Sequence, residues 1–182
     1  QIDEVLTISG SLTDRQKVIA EFWADGPRTE SPPGHWNQLA HGVSAREEYG
    51  VDEDIKLYFA LNAAVLDAGI AVWEAKRHYD YIRPASALRH KYFDQEIMAW
   101  GGPDLGTQAI MGQNWRPYQN VTFVTPPFPE FVSGHDAAVE AGVSRLYGGI
   151  HFQDGDLRGR EMGSEIGAQV FEKAERLWTG AP

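Results

Sequence analysis

Three short stretches of this 182-residue sequence combine residue types that suit the binding of an oxyanion. Lys76 and Arg83 stand seven residues apart, two helical turns, and Pro84 follows at once. The two cations share a face if the helix persists between them. The ordinary role for such a pair is a basic helix end, which favours the helix dipole. The second stretch, Ser133-Gly134-His135, follows a proline-rich segment and stands where a helix is expected to begin. Free N–H groups at a helix N-terminus bind anions, and glycine lets them approach closely. Ser133 offers a hydroxyl, and His135 a group that transfers protons near neutral pH. Serine is equally a common N-cap. The third stretch is Ser144-Arg145, then Gly148-Gly149, then His151. On an unbroken helix Arg145 and His151 would face apart, but two glycines can turn the backbone and return His151 toward Arg145. Each stretch alone has an everyday explanation; the set of three asks for one anion pocket.

Helices must position these groups. Thr13 with Gln16 reads as a capping box that opens a helix through Val18, Ile19, Phe22 and Trp23, stopped by Gly26-Pro27. A second helix is expected over about 35–47. A long third one, capped by Asp52 or Asp54, runs through Ile55, Leu57, Phe59, Leu61, Val65, Leu66, Ile70 and Trp73 to about Tyr81 and yields at Arg83-Pro84. Residues 101–131 show little periodicity and five prolines, a pattern more often functional than filler in a compact domain. Helical patterning returns over 134–146 and again over 157–178. No convincing alternating strand or internal repeat is visible. The expected fold class is all-α, a single helical-bundle domain over residues 1–182.

Composition narrows the partners. A net charge of -10 argues against nucleic acid or an anionic membrane, so positive groups that hold an anion must be concentrated locally. No membrane span is read, because the apolar run from Leu57 to Trp73 is broken by Asn62 and Asp67. The expectation is a soluble protein. The first residue is Gln1 and no signal-peptide pattern precedes the first helix, so the compartment stays open; a processed, periplasmic or secreted product is compatible. The absence of cysteine excludes disulfides and thiolate chemistry. His35, His41, His78 and His90 form no familiar zinc spacing, which makes a zinc enzyme the weaker option. Glycines and aromatic side chains permit a homo-oligomer without demanding one.

Lys76-x6-Arg83-Pro84, then Ser133-Gly134-His135, then Ser144-Arg145-x5-His151, resembles the three-part signature of the vanadium-dependent haloperoxidase and type 2 phosphatidic acid phosphatase superfamily. The resemblance implies a helical bundle of that type and a pocket for vanadate, which phosphate can also occupy. It assigns Lys76, Arg83 and Arg145 to the equatorial oxygens, a task suited to the arginine fork. Ser133 and the Gly134 N–H complete the cradle. His151 matches the residue that binds vanadium, or attacks phosphorus in the phosphatases, and His135 the acid–base group opposite. The stretch from Pro126 to Phe131 is similar to the chloroperoxidase loop, with Phe128 and Trp73 falling at the aromatic wall of a halide site. The implied activity is oxidation of a halide by hydrogen peroxide, with Lys76 polarising the bound peroxide and a small organic molecule as a further acceptor. The alternatives are an acid phosphatase working through a phosphohistidine and a non-catalytic oxyanion-binding module.

Three positions depart from that pattern. Val132 stands where the family has proline. Gly155 stands where the phosphatase-type signature has an aspartate, with Asp154 and Asp156 on either side, so the residue that orients His151 is not evident. Only nine residues separate His135 from Arg145, where family members carry several dozen. One helix over that span rises about 15 Å, hard to close around a small anion. The expectation is a segment missing between about residues 135 and 137.

Overall fold

The structure is a computed structural model that describes residues 1–26, 28–119, 127–134 and 139–180. Helices α1 (Ile2–Gly10), α2 (Asp14–Phe22), α3 (Ser31–Arg46), α4 (Val51–Tyr79) and α5 (Pro84–Lys91) are followed by strands β1 (Glu96–Trp100) and β2 (Thr107–Met111). Helices α6 (Val139–Tyr147) and α7 (Gln153–Thr179) complete the chain. Helix α4 packs against α7 and α3, α2 packs against α6, and α1 lies across the strands, α5 and α6.

The helix boundaries follow local chemistry. Thr13 and Gln16 form the expected capping box: Gln16 N donates to Thr13 Oγ1 at 3.3 Å and Thr13 N to Gln16 Oε1 at 2.9 Å. The expected cap of α4 by Asp52 or Asp54 is not found. Gly50 is the N-cap and its N–H donates to Glu53 Oε2 at 3.2 Å, while Asp54 Oδ1 accepts from Ser44 Oγ at 2.5 Å. Helix α4 ends at Tyr79 because Asp80 turns left-handed, φ 43°, and Arg83 is held extended before Pro84. Lys76 and Arg83 therefore do not share a helix face; Arg83 is the N-cap of α5, with Pro84 as its first residue.

The all-α helical bundle is borne out, with two elements that the sequence did not announce. Helix α1 opens the chain on Ile2, Val5 and Leu6. A two-stranded antiparallel hairpin pairs Glu96 with Met111 through Trp100 with Thr107, its second strand within the stretch read as irregular. Its strands are five residues each, and Met98, apolar but exposed, hides the alternation that buries Ile97 and Ala99. The hairpin and α1 are structural: Val5, Ala85, Ala87, Leu88, Ile97, Ala99, Trp115 and Phe152 form one core cluster. Burial of a leucine such as Leu88 contributes about 2 kcal/mol. Trp115 is tied to it at both ends, Nε1 donating to Ser9 Oγ at 3.2 Å and its carbonyl accepting from Arg89 Nε at 2.8 Å.

One stretch of the bundle is bare. Val51, Ile55, Phe59, Leu66, Ile70 and Trp73, spaced as one stripe of α4, are exposed. Against the reading of no span, an 18-residue window within Val51–Lys91 reaches a mean hydropathy of 1.6 with few charges. That meets a membrane span's length and composition alone, a test that core helices of globular proteins also pass.

Candidate functional site

The buried polar groups gather where the end of α4, the start of α5, the segment 127–134 and the turn before α7 meet. Lys76 is 3% exposed, an unusual position for lysine unless its ammonium is satisfied. Its Nζ donates to Pro129 O at 3.0 Å and Glu130 O at 2.9 Å. Arg83 reaches the same segment from the other side: Nε donates to Phe128 O at 2.8 Å and Nη1 to Ile150 O at 3.0 Å. Burial lowers the Arg83 pKa to about 10, partly opposed by the Glu130 carboxylate, so the guanidinium stays charged at neutral pH. Both cations sit over the Phe128 ring, Arg83 Cζ at 4.7 Å and Lys76 Nζ at 5.4 Å from its centroid.

His151 is placed by the backbone on both sides. Gly149 turns left-handed, φ 72°, and Ile150 N donates to Arg145 O at 3.1 Å, which ends α6 and redirects the chain. Phe152 then drops into the core cluster and starts α7. Between these anchors the His151 ring has Nε2 3.1 Å from Arg83 Nη1 and Nδ1 2.7 Å from Glu130 Oε1. Arginine only donates, so Nε2 must present its lone pair and the ring proton lies on the Glu130 side.

Glu130 belongs to this cluster, and sequence reasoning gave it no role. Its carboxylate is 1% exposed, and Oε1 also accepts from Phe152 N at 3.1 Å. Burial pushes its pKa up to about 7; the Phe152 N–H, Lys76 and Arg83 pull it down and Asp154 pushes it up. The available signal was an acid alone in an apolar, proline-rich stretch. The partner of His151 thus comes from 21 residues upstream. Asp154 and Asp156, the neighbours considered from spacing, turn elsewhere: Asp156 Oδ2 accepts from Arg160 Nη2 at 2.5 Å, and Asp154 pairs with Arg158.

The remaining expected residues divide. Ser133 is buried, its N–H donates to Gly155 O at 3.0 Å, and its Oγ has no hydrogen-bond partner among the described residues. Ser133 does not itself start a helix, and Gly134 is exposed beside Val72. Arg145 is fully buried, and two of its bonds run to Ser144 Oγ at 2.8 Å and Ala20 O at 3.0 Å. His135 lies outside the described residues, as does the start of the helix expected at 134. Trp73 packs on Phe128 with ring centroids 4.9 Å apart and is itself half exposed. A groove of about 480 Å³ between α3, α4 and α7 reaches Trp73, Ser133 and Gly134. His35, one of the histidines weighed for zinc, bonds Asp25 at 2.9 Å and stacks on Trp23.

In this helical protein two buried cations, a histidine held by a buried carboxylate, and a serine hydroxyl without a partner among the described residues lie close together. The model of the VCPO second helical-bundle domain matches residues 56–141 and 135–180, well over half of the chain, and the chain belongs to that family. Over 148 residues it is 28% identical to the vanadium chloroperoxidase of Curvularia inaequalis, covering 70% of this chain and 22% of that protein. It superposes on the holo form of a bacterial vanadium-dependent chloroperoxidase with a TM-score of 0.79 at 24% identity, covering 96% of this chain and 47% of that one. The apo form gives 0.81 at 22% identity, and a bacterial vanadium-dependent iodoperoxidase 0.71 at 23%, each covered over 48% of its length. At such identities the solved structures speak for the fold. The chain spans about half the length of these structures and 22% of the Curvularia protein.

Proposed function

We propose that this domain carries the vanadate-binding, halide-oxidising centre of a vanadium-dependent haloperoxidase. The observation that carries the reading is the line Glu130–His151–Arg83, which leaves the His151 Nε2 lone pair facing a guanidinium in a buried cluster. The donor set fits the anion. Lys76 and Arg83 now satisfy carbonyl oxygens, and an anion's oxygens are stronger acceptors than these. Ser133 Oγ is a buried hydroxyl that such an oxygen would satisfy.

Bound vanadate would supply Lewis-acid activation of hydrogen peroxide, so that halide, peroxide and a proton give hypohalous acid and water. The protein's own groups do the rest. His151 Nε2 holds the anion, Lys76 and Arg83 neutralise it, and Ser133 Oγ donates to it; by family position Arg145 adds a third cation and His135 moves the proton. Trp73 and Phe128 offer an apolar wall that strips water from a halide, which suits oxidation better than ester hydrolysis. A small organic halogen acceptor would enter by the groove beside them.

We also propose that residues are missing between about His135 and Ala137. The short link from His135 to Arg145 supports this, as does a family match in two stretches that overlap at 135–141. Peptide mapping of the natural protein that recovers extra residues there supports it; a map reading Gly134 through to Val139 as given overturns it.

The functional test is halide oxidation with hydrogen peroxide, with and without orthovanadate, beside hydrolysis of a phosphate ester. Turnover that requires vanadate and vanishes in His151→Ala is expected. Ester hydrolysis inhibited by vanadate would move the centre to the phosphatase reading, and silence of the folded protein in both assays would overturn the enzyme reading.

A further inference from the structure

We propose that Glu130 positions His151 for anion binding, and that position 155 is glycine because the Glu130 carboxylate occupies the space a side chain would take there. The proposal rests on the functional reading above for its ligand, and on the geometry of Glu130, His151 and Gly155 for its residues.

The geometry is reciprocal. Glu130 Oε1 lies 2.7 Å from His151 Nδ1, and an ideal Cβ on Gly155 would lie 2.4 Å from that same oxygen and 3.1 Å from Oε2. Gly155 is within α7 and needs no left-handed backbone, so its lack of a side chain answers to space and not to conformation. The carboxylate is pinned from several sides: Glu130 N donates to Tyr81 O at 2.9 Å, Phe152 N donates to Oε1 at 3.1 Å, and Ser133 N ties the segment to Gly155 O at 3.0 Å. In the phosphatase-type signature a carboxylate sits at the position of Gly155 itself. Here the same charge arrives from the facing segment, and the helix makes room for it.

The consequence is a fixed tautomer. Arg83 Nη1 at Nε2 excludes a proton there, and the Glu130 carboxylate accepts the one on Nδ1. With that proton held on Nδ1, the Nε2 lone pair stays directed at the site. Without Glu130 the ring loses the partner that fixes its plane, and outer-shell partners of this kind are worth about 10–100-fold in affinity for the bound group.

Plain electrostatics gives the opposite sign. Removal of a carboxylate from a cationic pocket should tighten the binding of an anion. Positioning and charge are therefore separable by one titration. The ring ¹⁵N shifts of His151 report the tautomer in the apo protein, and calorimetric titration with orthovanadate reports affinity.

In the wild type, His151 is expected to carry its proton on Nδ1 and to leave Nε2 open. Glu130→Ala should scramble the tautomer and weaken orthovanadate about 10–100-fold. Glu130→Gln, whose amide oxygen still accepts from Nδ1, should keep the tautomer and serves if the alanine variant does not fold. Glu130→Ala with Gly155→Asp should restore both readouts to within a few-fold, whereas Gly155→Asp alone should disrupt them. A tautomer indifferent to Glu130, an orthovanadate affinity that holds or rises in Glu130→Ala, or a folded double variant that restores neither readout overturns the proposal. A wild type that binds no orthovanadate, while its tautomer still follows Glu130, overturns the functional reading and leaves the positioning of His151 standing.

Discussion

Two stretches of α4 reverse the usual rule of inside and outside. At the C-terminal end Lys76 is 3% exposed, while farther up the same helix Leu66 is 63% and Ile70 61% exposed. The lysine is buried because backbone carbonyls of Pro129 and Glu130 accept from its ammonium, which also lies over the Phe128 ring. The leucine and isoleucine are bare because no described element covers that side, although the helix has the apolar stripe of one made to be packed. The contrast teaches that a side chain's environment here is set by what crosses the helix, not by what the helix is made of. The chain also spans only about half the length of the structures it superposes on.

The comparison can be broken most forcefully at Arg83. Arg83→Ala strands the carbonyls of Phe128 and Ile150 and removes one of the two cations that act on Glu130, which should cost roughly 4 kcal/mol of stability in a denaturant titration. A loss under about 1 kcal/mol would mean that the polar end is solvated and the contrast is false.

Glu130 sharpens it by pH. Its folded pKa is raised from 4.5 to about 7, so the native state favours the proton, and its contribution is full below 4.5 and fades as pH climbs to 7. Relative to Glu130→Gln, the protein should lose roughly 3 kcal/mol across that window, read as a fall in melting temperature with rising pH. A flat difference between the two proteins would show that Glu130 is ionised without penalty and that the site is wetter than its burial implies.

Two leucines give the mildest test. Leu88→Ala, in the core beside Trp115, should cost about 3 kcal/mol, whereas Leu66→Ala should lie within about 0.5 kcal/mol of wild type. Equal costs would show that the bare stripe is covered in solution. A Leu66→Ala cost that grows with protein concentration in sedimentation would identify a second copy as the cover.

Much of the bundle was legible because helices declare themselves locally: the Thr13–Gln16 cap, the break at Arg83-Pro84 and the turn at Gly148-Gly149 each rest on chemistry within a few residues. The hairpin was not, since five-residue strands with Met98 on the open face carry too little alternation to see. The spacing of Lys76, Arg83, Ser133, Arg145 and His151 pointed to an anion centre, and Lys76, Arg83 and His151 do converge on the segment 127–134. The expectation of a shared helix face for Lys76 and Arg83 fails, because Asp80 ends the helix between them.

By itself, then, the sequence determined the kinds of groups available and the helices that carry them, since caps, prolines and apolar periodicity act over one or two turns. Tertiary structure alone decided which carboxylate meets His151, because Glu130 and Gly155 are brought together across the bundle, and their fit is a matter of ångströms that no local pattern encodes. It also decided that Lys76 is buried and Leu66 is not, since burial is a property of the neighbours that arrive from elsewhere in the chain.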